Sequence, residues 1–211
     1  MRATFLKVAL ALMPLTATLH ATPITYVETF FGDVTIGTDT YDGRTATLTG
    51  LGNTSTITNF EPGNYSDDVS ARFSVSGGPS GTFTDDLQVS ANDAGHGVIP
   101  AASFGSLLTG EYAIMGTYNA SAFANYDLSY SIGPISGRAL ANAGDTGPGL
   151  MDPTNEGLFS VDVVTGDTTF QAIGPNGPPT TSVTPEPSSL ALLGTGLFSA
   201  VAVLRRKYAR P

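Results

Sequence analysis

The sequence predicts an all-β fold, a β-sandwich or jelly-roll-like domain, flanked by a helical signal peptide and a single C-terminal transmembrane helix. Three observations predict it. Apolar and polar residues alternate with a period of two in one run after another through the middle of the chain, as half-buried strands require. Clusters of Gly, Asn, Asp, Ser and Pro separate those runs, with no long amphipathic helical period between them. The two ends differ in kind, each joining an apolar stretch to basic residues.

Residues 1–21 read as a signal peptide. Arg2 and Lys7 supply a positive start, and an apolar run opens at Val8 and continues weakly to Leu19. Ala21 is the small residue at the cleavage edge, with polar Thr22 next. Pro14, Thr16 and Thr18 interrupt the run, which is too short to span a bilayer. Such a signal implies export through the Sec translocase.

Residues 22–173 make up the β-rich mature domain. The run from Ile24 to Phe31 begins with alternation, and Val69 to Val75 alternates almost strictly. A turn at Gly77, Gly78, Pro79 and Ser80 leads into Gly81 and Phe83. Tyr112 to Tyr118 and Tyr126 to Ile132 follow the same rule. Leu158 to Val164, a turn at Thr165, Gly166 and Asp167, and Thr168 to Ile173 read as a closing hairpin. The segment from Ile99 to Leu108 suits a short helix or, equally, a loop.

Charge excludes some partners. Between residues 22 and 184 lie Arg44, Arg72 and Arg138 against 17 acids, 3 − 17 = −14. Such a domain repels phosphate backbones, which excludes nucleic acid, and leaves cations or neutral polymers such as exopolysaccharide as acceptable partners. The chain has no Cys, so disulfides, Cys-ligated zinc and thiol nucleophiles are excluded.

The acids gather at Asp33, Asp39 and Asp42; at Glu61, Asp67 and Asp68; and at Asp85, Asp86 and Asp93. Calcium requires six to eight oxygens at a loop, and Asp39 with Asp42, next to Gly43, offers the nearest approach. EF-hand spacing and its terminal Glu are missing, so solvated turn carboxylates are the default and no cofactor is expected. His96, the only histidine left after signal removal, sits between glycines with no nucleophile elbow nearby. No acid pair stands out for glycoside hydrolysis. No catalytic residue is assigned. Tyr41, Tyr65, Tyr112, Tyr118, Tyr126 and Tyr130 are candidates for a sugar platform, with sheet packing as the default. Thr45, Thr47 and Thr49 alternate, as do Thr54, Thr56 and Thr58, but neither triplet extends into a repeated ladder.

Residues 174–184, rich in Pro, Gly and Thr, form an extended linker. Pro185, Glu186 and Pro187 follow, then Ser188 and Ser189, an apolar run from Leu190 to Leu204, and Arg205, Arg206 and Lys207. The serines cap a helix over about residues 188–204. The 15-residue run rises roughly 22 Å at 1.5 Å per residue, just enough to cross a locally thinned bilayer. The basic cluster is the stop signal, held in the cytoplasm by the positive-inside rule, so residues 22–184 lie outside. That agrees with the signal peptide.

This order of tripeptide, serines, Gly-containing apolar helix and basic end resembles the PEP-CTERM protein-sorting motif, a tail also named after the C-terminal domain of ice-binding proteins. The resemblance covers about residues 184–210. It implies an exosortase, a membrane-embedded cysteine transpeptidase-like enzyme, cutting near Pro185, Glu186 and Pro187. It also implies a Gram-negative-type bacterium, often one that makes exopolysaccharide or biofilm. Thr184 stands where Val is common, and Tyr208 and Ala209 interrupt the basic end. The second name suggests ice binding, for which the threonine triplets supply no repeated array.

The expected protein is non-enzymatic: a structural or adhesive surface or matrix module that passes through an inner-membrane-anchored intermediate. The alternative is a secreted carbohydrate-binding module or hydrolase with a site built from loop acids.

Overall fold

A computed structural model of the chain describes residues 21–92, 100–107, 112–140 and 151–174. Its strands are β1 (Pro23–Ile36), β2 (Asp39–Asn53), β3 (Thr58–Glu61), β4 (Asn64–Val75), β5 (Ser80–Thr82), β6 (Leu87–Asn92), β7 (Ala101–Ser106), β8 (Tyr112–Tyr118), β9 (Ile132–Leu140), β10 (Asp152–Thr154), β11 (Gly157–Val164) and β12 (Asp167–Ile173). Among the described residues there is no helix, so the all-β expectation holds. Ala101–Ser106, inside the stretch that suited a helix, is strand β7, paired on both edges by β6 and β8. Tertiary pairing overrides a short apolar run with no period of its own.

The sheet closes on itself. β1, β12, β9, β8, β7, β6, β4 and β2 pair in that order, and β2 returns to β1. This is an eight-stranded antiparallel barrel, where a sandwich or jelly roll would have kept two sheets. Strand length is the reason. β1 and β2 carry 14 and 15 residues and pair from Pro23↔Asn53 to Ile36↔Asp39. Strands this long accumulate twist and coil, bringing the two sheet edges together, and closure leaves neither edge unpaired.

The long strands also take part in a second, smaller closure. Along one edge of β1, β12 pairs with residues 25–29 and β11 with residues 32–36. β11 and β12 thus run end to end rather than forming the expected hairpin. The Thr165 amide donates to the Phe31 carbonyl across the break, so the ladder continues where Thr-Gly promised a reversal. β5 and β6 similarly lie end to end along β4. Phe83, just after β5, bridges to Thr154 of β10, which completes a ring of β1, β2, β4, β5, β10 and β11.

Each ring has its own aromatic core. In the smaller one, Phe73, Phe83 and Phe159 pack with centroids 5.1–5.9 Å apart. In the barrel, Phe170 meets Tyr26, Phe123 and Tyr126 at 6.3, 5.8 and 6.1 Å. Phe123, Tyr126 and Leu128 come from residues 119–131, a segment of turns and bends between β8 and β9. Residues 126–131 alternate like a strand, yet they are not one. The segment instead inserts fully buried side chains into the barrel, with Leu128 held at φ 66°, rare for a branched residue.

Candidate functional site

The barrel interior holds the most unusual chemistry in the described chain. The alternation of β1 turns Ile24, Tyr26, Glu28 and Phe30 inward, so a carboxylic acid lies fully buried between aromatic rings. Thr117 of β8 places its hydroxyl 2.6 Å from Glu28 Oε1. Thr168 of β12 lies 2.7 Å from that hydroxyl, and its own hydroxyl donates to the Gly116 carbonyl at 3.1 Å. Glu28 Oε2 has no hydrogen-bond partner. Burial pushes the Glu28 carboxyl up to about 8, against the lowering influence of the Thr117 and Thr168 hydroxyls.

A second network stands near it. Asp67 Oδ2 accepts from the Tyr26 hydroxyl and the Asn53 amide, each at 3.1 Å, and Oδ1 accepts from Thr56 at 2.6 Å. The Tyr26 hydroxyl also reaches the Leu128 carbonyl at 3.3 Å. One carboxyl therefore ties β1, β2, the turn after β2, and β4 together. Burial raises the Asp67 carboxyl above the usual range, while hydrogen bonds from Thr56, Tyr26 and Asn53 pull the other way. Asp152, at the start of β10, is a third buried acid, raised by burial and by Asp85 and lowered by Ser106. The three arginines of the described chain, Arg44, Arg72 and Arg138, are all exposed. None balances these acids.

The acid groupings read from the sequence come apart in the structure. Asp67 and Asp68 are neighbours on a strand and so face opposite ways, Asp67 buried and Asp68 exposed. Asp39 and Asp42 belong to β2 rather than to a loop, and both are exposed. Asp42 and Gly43 form a bulge in β2, with Gly43 at φ 58° and its amide donating to Asp33 Oδ1 at 2.7 Å. Among the described residues no group of three or more His, Asp or Glu is placed to hold a metal ion. His96 and Asp93 lie outside the described residues.

Tyr41, Tyr65 and Tyr130 pack against the core. Tyr126 is fully buried and Tyr130 stacks edge-on against it at 5.2 Å, while Tyr41, Tyr65 and Tyr118 are half-buried. The side chain of Tyr112 lies outside what the structure describes. Thr54 and Thr56 sit in the turn after β2, so that triplet is not a strand face. Thr47, however, joins a rank running across six strands: Ser136, Thr169, Thr29, Thr47, Ser74 and Ser80, each opposite the next. All six lie on the outer wall. The flanking positions mix Thr45, Thr49 and Thr82 with Phe31, Val27, Gln171 and Arg72, so the rank does not repeat as a regular array.

The inward acids were missed in the sequence, although the signal was present. Glu28 keeps phase with Ile24, Tyr26 and Phe30, and Asp67 keeps phase with Val69, Ala71 and Phe73.

The sorting residues Pro185, Glu186 and Pro187, the stop signal Arg205, Arg206 and Lys207, and the linker beyond Gly174 lie outside the described residues, as do residues 1–20 of the signal peptide. Among the described residues no helix is long and apolar enough to cross a membrane, and the expected span at about 188–204 is not among them. For the tail, comparison with protein families decides. Residues 183–207 match the PEP-CTERM protein-sorting motif. The chain carries a PEP-CTERM sorting signal. That signal implies export, a membrane-anchored sorting intermediate and processing by an exosortase. No curated protein and no solved structure matches the chain.

Proposed function

We propose that this PEP-CTERM chain is a bacterial surface or matrix protein whose barrel is a non-enzymatic structural or adhesive module, freed from its tail near Pro185, Glu186 and Pro187. The single observation that carries the export and sorting part is the motif match at residues 183–207. The non-enzymatic part is supported by how the interior is used. Its acids are engaged with hydroxyls, a phenol and amides inside an aromatic core, and adjacent acids are split between the two faces of a strand.

The adhesive part is supported by the outer wall. A rank of six neutral hydroxyl side chains at roughly 4.8 Å per strand presents about 24 Å of hydrogen-bonding surface on a domain whose charge repels polyanions. Neutral exopolysaccharide is the partner this chemistry suits.

The test uses the native host. Intact mass of the secreted protein is expected to correspond to a chain starting near Thr22 and ending near Pro187. Recovery of the apolar tail in mature protein from cells that contain an exosortase refutes the sorting step. Release of reducing ends from matrix polysaccharide by the purified protein refutes the non-enzymatic reading and favours a hydrolase. Unchanged matrix retention of a Thr29→Val, Thr47→Val, Thr169→Val variant refutes the role of the outer rank.

A further inference from the structure

Glu28, Thr117 and Thr168 are drawn from β1, β8 and β12, strands that β9 separates from one another in part. Gly137 of β9 lies between them, opposite Thr168, and having no side chain it lets the two threonine hydroxyls meet. The resulting chain of oxygens is Glu28 Oε1, Thr117 Oγ1, Thr168 Oγ1 and the Gly116 carbonyl, with separations of 2.6, 2.7 and 3.1 Å.

Three hydrogen bonds need three protons. The two hydroxyls supply one each, and the Gly116 carbonyl can only accept. All three contacts are made at once only when the third proton sits on Glu28. With it there, the chain runs in one direction: Glu28 donates to Thr117, Thr117 to Thr168, and Thr168 to Gly116. Without it the two hydroxyls fill only two of the three contacts: either both turn toward the carboxylate and the 3.1 Å contact to Gly116 is lost, or the 2.7 Å contact between them holds no proton.

We propose that Glu28 is carried as a neutral carboxylic acid and, with Thr117 and Thr168, forms a proton-dependent latch that joins β1, β8 and β12 and is released in alkaline solution.

The surroundings favour the neutral form. Glu28 is fully buried and Oε2 has no partner to stabilise a charge. On its own strand the inward titratable neighbour is Tyr26; β4 contributes Asp67 and the 119–131 segment contributes Tyr126. The inward side chains opposite Glu28 are Leu48 of β2 and Phe170 of β12, while Arg138 of β9 and Asp162 of β11 are exposed. Among the described residues none of the groups facing inward is a cation. Consistent with this, burial holds the carboxyl up to about 8.

The folded state keeps a proton that the unfolded chain gives up near the ordinary glutamate value. Stability on this account falls as pH rises from about 4.5 to about 8, and is constant above that.

The experiment measures urea unfolding of the full-length chain in detergent from pH 5 to pH 9, for wild type and Glu28→Gln. The amide can still donate to Thr117 but does not titrate. The ratio of the two unfolding constants is expected to change by about tenfold per pH unit between roughly pH 5 and 8, one proton's worth of linkage. Parallel pH profiles overturn the proposal. If the variant does not fold, wild type labelled with carboxyl-13C glutamate answers the same question. It has five glutamates, and aspartates stay silent. One resonance is expected to remain at the protonated position at pH 7; ordinary titration of all five overturns the latch.

Discussion

Phe170 is the side chain whose removal tests the barrel core most directly. It is fully buried on β12 and joins Tyr26 of β1 to Phe123 and Tyr126 of the inserted segment. Phe170→Ala deletes the whole ring and leaves a cavity bounded by three aromatics. Such truncations cost about 3–5 kcal/mol, and three lost ring contacts place this one near the upper half, about 4 kcal/mol. That is roughly a thousandfold in the unfolding constant and about 8–16 °C in melting temperature for a domain of this size. Urea unfolding at pH 6 followed by tyrosine fluorescence reads it cleanly, since the chain has no Trp. Leu51→Ala serves as the control, because Leu51 is 59% exposed and its loss should stay within about 0.5 kcal/mol. A Phe170→Ala loss no larger than the control's would refute the packing argument, as the segment would then be held by its backbone alone.

Other outcomes follow from single contacts. A Cβ on Gly32 would run into the carbonyl of Val163, so Gly32→Ala should cost about 1–3 kcal/mol by forcing β1 and β11 apart, measurable in the same assay. Asp67→Ala strands the Tyr26, Asn53 and Thr56 donors and should cost about 3 kcal/mol; Asp67→Asn should recover only part of it, since an amide has one acceptor oxygen for three donors. Replacing Pro185, Glu186 and Pro187 with alanines should leave the tail on the exported chain, seen as a higher intact mass and retention in the inner-membrane fraction. With three buried acids all raised, stability should decline overall from about pH 5 toward pH 8; a profile rising over that window would contradict their burial.

Local pattern was enough for much of this protein. Val69 to Val75 alternates in sequence and lies in β4 with its odd positions buried, because one residue of phase decides the face of a strand. The turn at Gly77 to Ser80 is also where the chain reverses, the Gly78 amide donating to the Val75 carbonyl. Local pattern failed where partners lie far away in the chain. Tyr126 to Ile132 alternates, yet Tyr126 is claimed by Phe170 and Phe123 rather than by a strand neighbour. Thr165-Gly166 looks like a reversal, but Phe31, 134 residues earlier, holds the chain straight (165 − 31 = 134). Asp39 and Asp42 looked like a loop because the bulge at Gly43 and a turn carry the same local signature.

By itself the sequence determined that the chain is all-β, acidic, free of cysteine and addressed by a PEP-CTERM tail, because composition, period and a linear motif are properties of neighbouring residues. Tertiary structure alone decided that the sheet closes twice, that the hydroxyls of six strands line up on one wall, and that Glu28 shares a chain of protons with Thr117 and Thr168. Those facts depend on pairings such as Thr25↔Ile173 and on a 2.6 Å contact across 89 residues, and no local pattern encodes which distant strand will arrive.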